Sequence, residues 1–248
     1  MTAESGAAAR ALSFGRATRD YVTGRPGYPQ EAVAWLVGDA RRVADVGAGT
    51  GKLTAALLGD GRTVVAVDPD EAMLDTLRHE VPGVETRPGT AESLPLEDDA
   101  FDALVYGQTW HWVDPAAASR EAGRVLRPGG VLGLIWNIRG DRTEWVERLG
   151  ATMHGSDAER LIAAGGPTVA APFGALEVRE FPWSRPMTAD AVVAMAASRS
   201  YVIALPDKER ARVLDAVREL LATHPQTAGR DTVELPYITY AYRAVRPT

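Results

Sequence analysis

The run Val43-Ala44-Asp45-Val46-Gly47-Ala48-Gly49-Thr50-Gly51-Lys52-Leu53-Thr54 constrains this chain more than any other stretch. A short apolar strand leads into glycines at alternate positions, and an amphipathic helix start follows at once. Glycine lets a backbone turn tightly and lets another group come within contact distance. The N–H groups at the helix start then face polar or anionic ligand atoms. Two common ligands of such loops fail to match. The dinucleotide pattern G-x-G-x-x-G needs glycine where Lys52 stands. The phosphate loop G-x-x-x-x-G-K-[ST] needs glycine at Val46 and a hydroxyl residue at Leu53. What remains is D-x-G-x-G-x-G, Asp45 through Gly51.

Around this unit, strand and helix signals alternate. Residues 31–38 read as a helix and 43–46 as a strand; a helix opens at 53–58. Thr63-Val64-Val65-Ala66-Val67 is a continuous β-branched run, as in a strand buried on both faces. Helix 70–80 follows with Asp70 as its N-cap, then strand 101–106, helix 115–125 and strand 131–136. The alternation predicts an α/β fold, a Rossmann-like doubly wound, mostly parallel sheet with helices on both faces. Strands are also expected at 177–183 and 232–245, with helices at roughly 188–204 and 207–223 between them.

Three later segments extend the reading. Asp68 ends the second strand, placed to accept hydrogen bonds from ribose hydroxyls, a spacing that also suits NAD. Gly89-Thr90-Ala91-Glu92-Ser93-Leu94-Pro95 precedes the third main strand. Tyr106-Gly107-Gln108-Thr109-Trp110-His111-Trp112-Val113-Asp114 lies at a strand's C-terminal end, where open α/β sheets place ligands. With Leu126-Arg127-Pro128-Gly129-Gly130, these segments in this order resemble the class I S-adenosylmethionine-dependent methyltransferases over about residues 43–137. The resemblance implies S-adenosylmethionine as cofactor. It implies that Asp45, Gly47, Ala48 and Gly49 lie by its methionine part, and that Asp68, Pro69 and Met73 meet its ribose and adenine. Ala91 and Glu92 would meet the adenine edge, while Gly107 and Gln108 would offer backbone contacts. Each residue also has a plainer role: turn glycine, core methionine, solvated acidic turn.

The outer segments narrow this. Tyr21, Arg25-Pro26 and Tyr28-Pro29, with Trp110-His111-Trp112 and Leu134-Ile135-Trp136-Asn137, resemble small-molecule methyltransferases of the trans-aconitate type. In that group the N-terminal segment covers the cofactor, with Arg25 suited to a bidentate carboxylate bond. Tyr28, Trp110, His111 and Trp112 are candidate substrate contacts. His111 is the candidate general base, since an imidazole accepts a proton near neutrality; a packed or donating histidine is the alternative. Residues 188–223 are expected to form a helical cap, with Arg199 and Tyr201 as candidate substrate contacts, and the family resemblance implies that the C-terminal strand Thr232–Val245 runs antiparallel to the rest of the sheet. Methyl transfer mainly needs positioning and exclusion of water.

Composition bounds the rest. A net charge of -6 with no basic stripe speaks against a nucleic-acid partner. The chain has no cysteine, which excludes disulfides, thiolate metal sites and cysteine nucleophiles, and its four histidines lack ligand spacing, so no metal is expected. No apolar run reaches the roughly 18 residues of a membrane span, and the N-terminus lacks a signal-type apolar region. The expectation is one domain, 1–248, in the cytoplasm: a tail and covering segment at 1–30, a cofactor core at 31–140 and a C-terminal part at 141–248. It would methylate an oxygen or nitrogen of a small molecule, in an oligomeric state that the sequence leaves open. A catalytically silent cofactor-binding module and a nicotinamide-dependent oxidoreductase are the alternatives.

Overall fold

A computed structural model describes residues 26–140, 143–153 and 156–248. The chain divides into two compact units.

The larger unit comprises residues 27–138, 157–183 and 238–248. Its centre is four parallel pairings among β1 (Arg42–Val46), β2 (Thr63–Asp68), β3 (Glu85–Pro88), β4 (Phe101–Gly107) and β5 (Leu126–Arg139). With β6 (Glu177–Met187) and β7 (Val233–Val245), the strand order is β3-β2-β1-β4-β5-β7-β6. The C-terminal strands are antiparallel: at one end of β7, Arg246 and the Gly129-Gly130 pair of β5 exchange backbone bonds of 3.0 and 2.8 Å.

Alternation along the strands explains the two layers. Val43, Val64, Ala103 and Val105 face one way and pack on α1 (Gln30–Val37) and α2 (Lys52–Leu57). Ala44, Val46, Val65, Val67, Leu104 and Tyr106 face the other way, onto Ala118, Ala122 and Val125 of α4 (Pro115–Val125). Between these helices in the chain comes α3 (Glu71–Glu80), whose N-cap Asp70 accepts a bond from Ala72 N at 2.9 Å. Arg78 and His79 in its last turn complement the helix dipole. Asp114 caps α4 in the same way, with Pro115 at the first helical position, where its missing N–H costs nothing. α6 (Asp157–Ala163) adds Ala158 to the α4 side.

The smaller unit contains residues 139–156 and 184–237. In it α9 (Asp207–Thr223) packs on α7 (Ala189–Ala197) and on α5 (Glu144–Met153) through buried Val217 and Leu221. The ends of β6 and β7 are tied within it by a 2.7 Å bond from Ser184 Oγ to Glu234.

Three expectations are revised here. The helix read over 188–204 is two, α7 and α8 (Ser200–Ile203), separated at Ser198, whose hydroxyl bonds back to Met195 O at 2.7 Å. Strand β5 starts before the expected 131–136 and takes in Leu126-Arg127-Pro128-Gly129-Gly130, where the register shifts between Phe101 and Ala103 and Gly129 has φ +79°. Strand β3 and helices α5 and α6 went unread. Among the described residues no helix is long and apolar enough to cross a membrane.

Candidate active site

At the ends of β1 and β2 the glycine loop folds over two carboxylates. Asp45, fully buried, accepts a 2.6 Å bond at Oδ2 from the Thr54 hydroxyl of α2. Among the described residues its Oδ1 has no hydrogen-bond partner. Burial pushes the Asp45 carboxyl up to about 7, against the Thr54 bond that lowers it, and neighbouring Asp68 raises it further. Asp68 is held on both oxygens: Gly49 N donates to Oδ2 at 2.8 Å and Asp70 N to Oδ1 at 2.9 Å. One carboxylate therefore fixes the loop to the end of β2, and its remaining lone pairs stay available to hydroxyl donors.

Gly47 and Gly49 serve different ends. A Cβ on Gly47, at φ +69°, would lie 2.4 Å from Thr109 Cγ2, so the loops after β1 and β4 touch through this position. Thr109 Oγ1 also bonds Gly47 O at 3.2 Å and Gly107 O at 2.9 Å. Gly49, at φ +54°, has open space above it among the described residues, the approach a ligand would use.

The segment after β3 is clamped from α4. Arg124 donates to Leu94 O at 3.1 Å and to Leu96 O at 2.9 Å, while Glu121 accepts from Leu94 N at 2.9 Å. The Arg124 guanidinium holds the Glu121 carboxyl below its ordinary value. Ala91 is buried in this segment, and Glu92 spends Oε1 on Asp114 N at 3.1 Å. Met73 is half-buried and Pro69 exposed.

The ends of β4 and β5 are built from side chains. Gln108, at φ +57°, donates from Nε2 to Asn137 O at 3.1 Å. Asn137 is buried and joins four segments: Nδ2 donates to Gly27 O at 3.0 Å, and Oδ1 accepts at 2.7 Å from Thr239, itself bonded at 2.9 Å by the Trp183 indole. Tyr28 lies over β4, because a Cβ on Gly107 would meet its hydroxyl at 2.9 Å.

The aromatic triplet splits three ways. Trp110, expected to face a substrate, is instead core: it is buried, edge-on to Tyr106 at 4.9 Å, with its indole donating to Thr168 O at 2.9 Å. An indole N–H needs a partner when buried, and the 165–168 loop supplies it. His111 is half-buried, and its Nδ1 accepts from the Trp136 indole at 3.3 Å. Trp112 is 65% exposed, with its ring 4.8 Å from that of His111.

The structure thus brings Asp45, Gly47, Ala48, Gly49 and Asp68 together, with Thr109 of the loop after β4 against Gly47; it sets Tyr28 against Gly107, Gln108 on Asn137, and His111 between Trp136 and Trp112. Tyr21 and Arg25 lie outside the described residues. Arg199 is buried within the smaller unit rather than solvated. Tyr201 belongs to α8, and its side chain lies outside the description. Sequence reasoning passed over Thr109 and Arg124 as site-building residues, and used Trp136 and Asn137 only as part of a family pattern. Thr109 carried a signal, its place between Gln108 and Trp110 at a strand end; Arg124 acts on Leu96 and Leu94 across 28 and 30 residues and carried none.

Comparison with known proteins fits this geometry. Residues 44–134 match the Methyltransferase domain family. An uncharacterized methyltransferase of Mycobacterium tuberculosis is 48% identical over 234 residues, covering 94% of this chain and 95% of that protein. An uncharacterized methyltransferase-like protein of Schizosaccharomyces pombe is 33% identical over 233 residues, 90% of this chain and 91% of that one. A solved structure from Anaeromyxobacter dehalogenans, assigned as a type II methyltransferase, superposes with TM-score 0.69 at 28% identity, covering 90% of this chain and 97% of that one.

Proposed function

The chain belongs to the class I S-adenosylmethionine-dependent methyltransferases, and from that premise we propose that it methylates an oxygen or nitrogen of a small molecule. Membership sets the nicotinamide reading aside. The carrying observation is Asp68, whose two oxygens are fixed by the N–H groups of Gly49 and Asp70 beside an open glycine loop.

The residues present suit the cofactor. Asp45 brings to the loop a buried carboxyl oxygen without a hydrogen-bond partner among the described residues, suited to a cationic amino group or its water. Asp68 suits paired ribose hydroxyls. The clamped segment around Ala91 and Glu92, together with Met73, suits an adenine ring. Tyr21 and Arg25 are proposed to cover the methionine end. When bound, S-adenosylmethionine supplies a methyl group already activated on a sulfonium.

The protein's own part is placement and dehydration. Asp45, Asp68 and the Gly47–Gly49 turn fix one partner, and the end of β4 presents the other, so that the reacting atoms align. Methyl transfer also needs bulk water kept from the nucleophile. Small size of the acceptor rests on the acidic surface and on the absence of a basic stripe. The outer segments' likeness to trans-aconitate-type enzymes supports an acidic acceptor.

Calorimetric titration with S-adenosylmethionine and S-adenosylhomocysteine tests the reading. Both should bind the wild type, and Asp68→Ala should lose at least about 1–3 kcal/mol, the scale of a buried hydrogen-bonding partner. Absence of binding by the wild type would sink it. Binding without transfer to any of a panel of carboxylates, phenols and amines would favour the silent module.

A further inference from the structure

We propose that an open pocket of about 340 Å³ beside β6, within the larger unit, binds a small neutral ring compound that carries one hydrogen-bond acceptor. None of its lining residues belongs to the glycine loop or to the Tyr28, Gln108, His111 and Trp112 contacts described above. The proposal goes beyond the methyltransferase reading, and occupation of the pocket needs no cofactor.

Pro167, Val169, Leu176 and Val178 form its apolar walls, and Tyr242 of β7 faces it from the sheet. The segment that carries these walls is pinned from several directions. Gly165 N and Gly166 N close the end of α6, donating to Ile162 O at 3.1 Å and Leu161 O at 3.0 Å. Thr168 O accepts from the Trp110 indole at 2.9 Å, and Ala170 N donates to Ser119 Oγ of α4 at 3.0 Å. Phe173 is buried in the core, and Val169 and Leu176 pack against the same cluster. Walls held in this way stand ready before a ligand arrives, as small-molecule sites commonly do.

The pocket also holds a polar group that the fold does not use. Tyr242 is 8% exposed, and among the described residues its hydroxyl makes no hydrogen bond. A buried hydroxyl left unpaired is costly, so this one calls for a partner from solvent or ligand. A Cβ on Gly166, at φ +94°, would lie 2.8 Å from that hydroxyl, so glycine here keeps the space beside it clear. Burial, with Tyr240 and Glu180 nearby, raises the Tyr242 phenol above its ordinary value. It therefore keeps its proton at neutral pH and donates it to an acceptor. The Glu180 carboxylate that adds to this effect also repels an anion. A cavity of roughly 150 Å³ holds one benzene ring, so this pocket takes two fused rings. These features together select a neutral, flat, mostly apolar compound with one carbonyl oxygen or ring nitrogen. Its occupant would meet two supports of the loop after β4: Thr168, which holds Trp110, and Tyr242, which packs edge-on against Trp136 at 5.8 Å.

Amide NMR of the full-length ¹⁵N-labelled protein tests the site, with coumarin, a neutral two-ring lactone, as the probe. Saturable shifts are expected at the amides of residues 165–178 and of Tyr242. The anion 2-naphthoate, of similar size, should bind at least roughly tenfold more weakly, because a charge is costly to bury there. Tyr242→Phe keeps the ring on Trp136 and removes only the hydroxyl. It should weaken coumarin by roughly fivefold, the scale of one net hydrogen bond, and leave naphthalene unchanged. Val178→Trp fills the pocket from a wall that is 55% exposed, so it should abolish saturable binding of both neutral probes with the thermal midpoint unmoved. Four results would each overturn the proposal: no saturable shift up to the solubility limit of coumarin, shifts centred on residues 47–51, equal binding of 2-naphthoate, or coumarin binding by Tyr242→Phe equal to that of the wild type. Calorimetry with S-adenosylmethionine should give the same affinity with and without saturating coumarin, and competition between them would also overturn it. A wild type that binds coumarin at this pocket but no S-adenosylmethionine would undo the methyltransferase reading and leave the pocket standing.

Discussion

The ends of β1 and β2 and the ends of β4 and β5 are both parts of one sheet edge, yet they are built in opposite ways. The first is backbone and carboxylate: Gly49 N and Asp70 N on Asp68, and Thr54 on Asp45, all within the 26 residues from 45 to 70. The second is side chain on side chain across the chain, Asn137 to Thr239 and Gly27, Trp136 to His111. A ligand shared by a whole family can be held by a short local motif. A surface that must differ between members is assembled from distant residues, each changeable without unmaking the fold.

Gly47→Ala tests where the two regions meet and should have the largest effect. It places a Cβ 2.4 Å from Thr109 at a left-handed φ of +69°. We expect about 2–3 kcal/mol of lost stability, and loss of S-adenosylmethionine binding beyond about 100-fold by calorimetry. Adding Thr109→Ala should restore part of both by removing the clash but not the strained φ. Full recovery would show that the backbone angle is unimportant.

Asp45→Asn separates stability from binding. The folded Asp45 value of about 7 lies above the ordinary value of 3.8, so the folded state holds this proton more tightly than the unfolded chain. Its contribution is complete below about 3.8 and is lost as pH rises to about 7. Wild-type stability should therefore fall from pH 5 to pH 8 relative to the variant by a few kcal/mol at most, on the order set by the shift. Urea denaturation at the two pH values checks this. Binding of S-adenosylmethionine should move the other way and weaken in the variant. Parallel pH curves for the two proteins would remove Asp45 from the account.

Asn137→Ala probes the second region. It strips partners from Thr239, a residue with no exposed surface, and should cost about 1–3 kcal/mol, read as a drop in thermal midpoint, with cofactor affinity nearly unchanged. Trp112→Ala should be the smallest in stability, within about 0.5 kcal/mol, because the side chain is mostly in water. Its effect should appear in KM for the acceptor. A large stability loss would mean that Trp112 is packing rather than presented.

The contrast also explains what could be read from the sequence. The cofactor half was legible because its geometry follows from local rules: a β-branched run ending in Asp68, Asp70 as a cap, glycines that only a tight turn explains. Strands β1, β2, β4 and β7 fall where apolar patterning put them. β3 did not announce itself, since Glu-Thr-Arg-Pro is a polar edge strand with no buried face. Helix α6 spans only seven residues, and the break at Ser198 depends on a single hydroxyl turning back on its own helix. Trp110 and Trp112 looked equivalent in sequence. Only the 165–168 loop, more than fifty residues on, decides which of them is core. His111 suggests a base by residue type alone, while the indole that donates to its Nδ1 stands 25 positions away.

Trp112 has a practical consequence. Of the six tryptophans it alone is mostly exposed; Trp35 and Trp183 are half-buried and Trp110, Trp136 and Trp145 buried. A water-facing indole emits at longer wavelength than buried ones, so excitation at the red edge selects it. The protein carries its own optical reporter beside the imidazole, and a flat acceptor docking there would announce itself as a quenched, blue-shifted signal with no label attached.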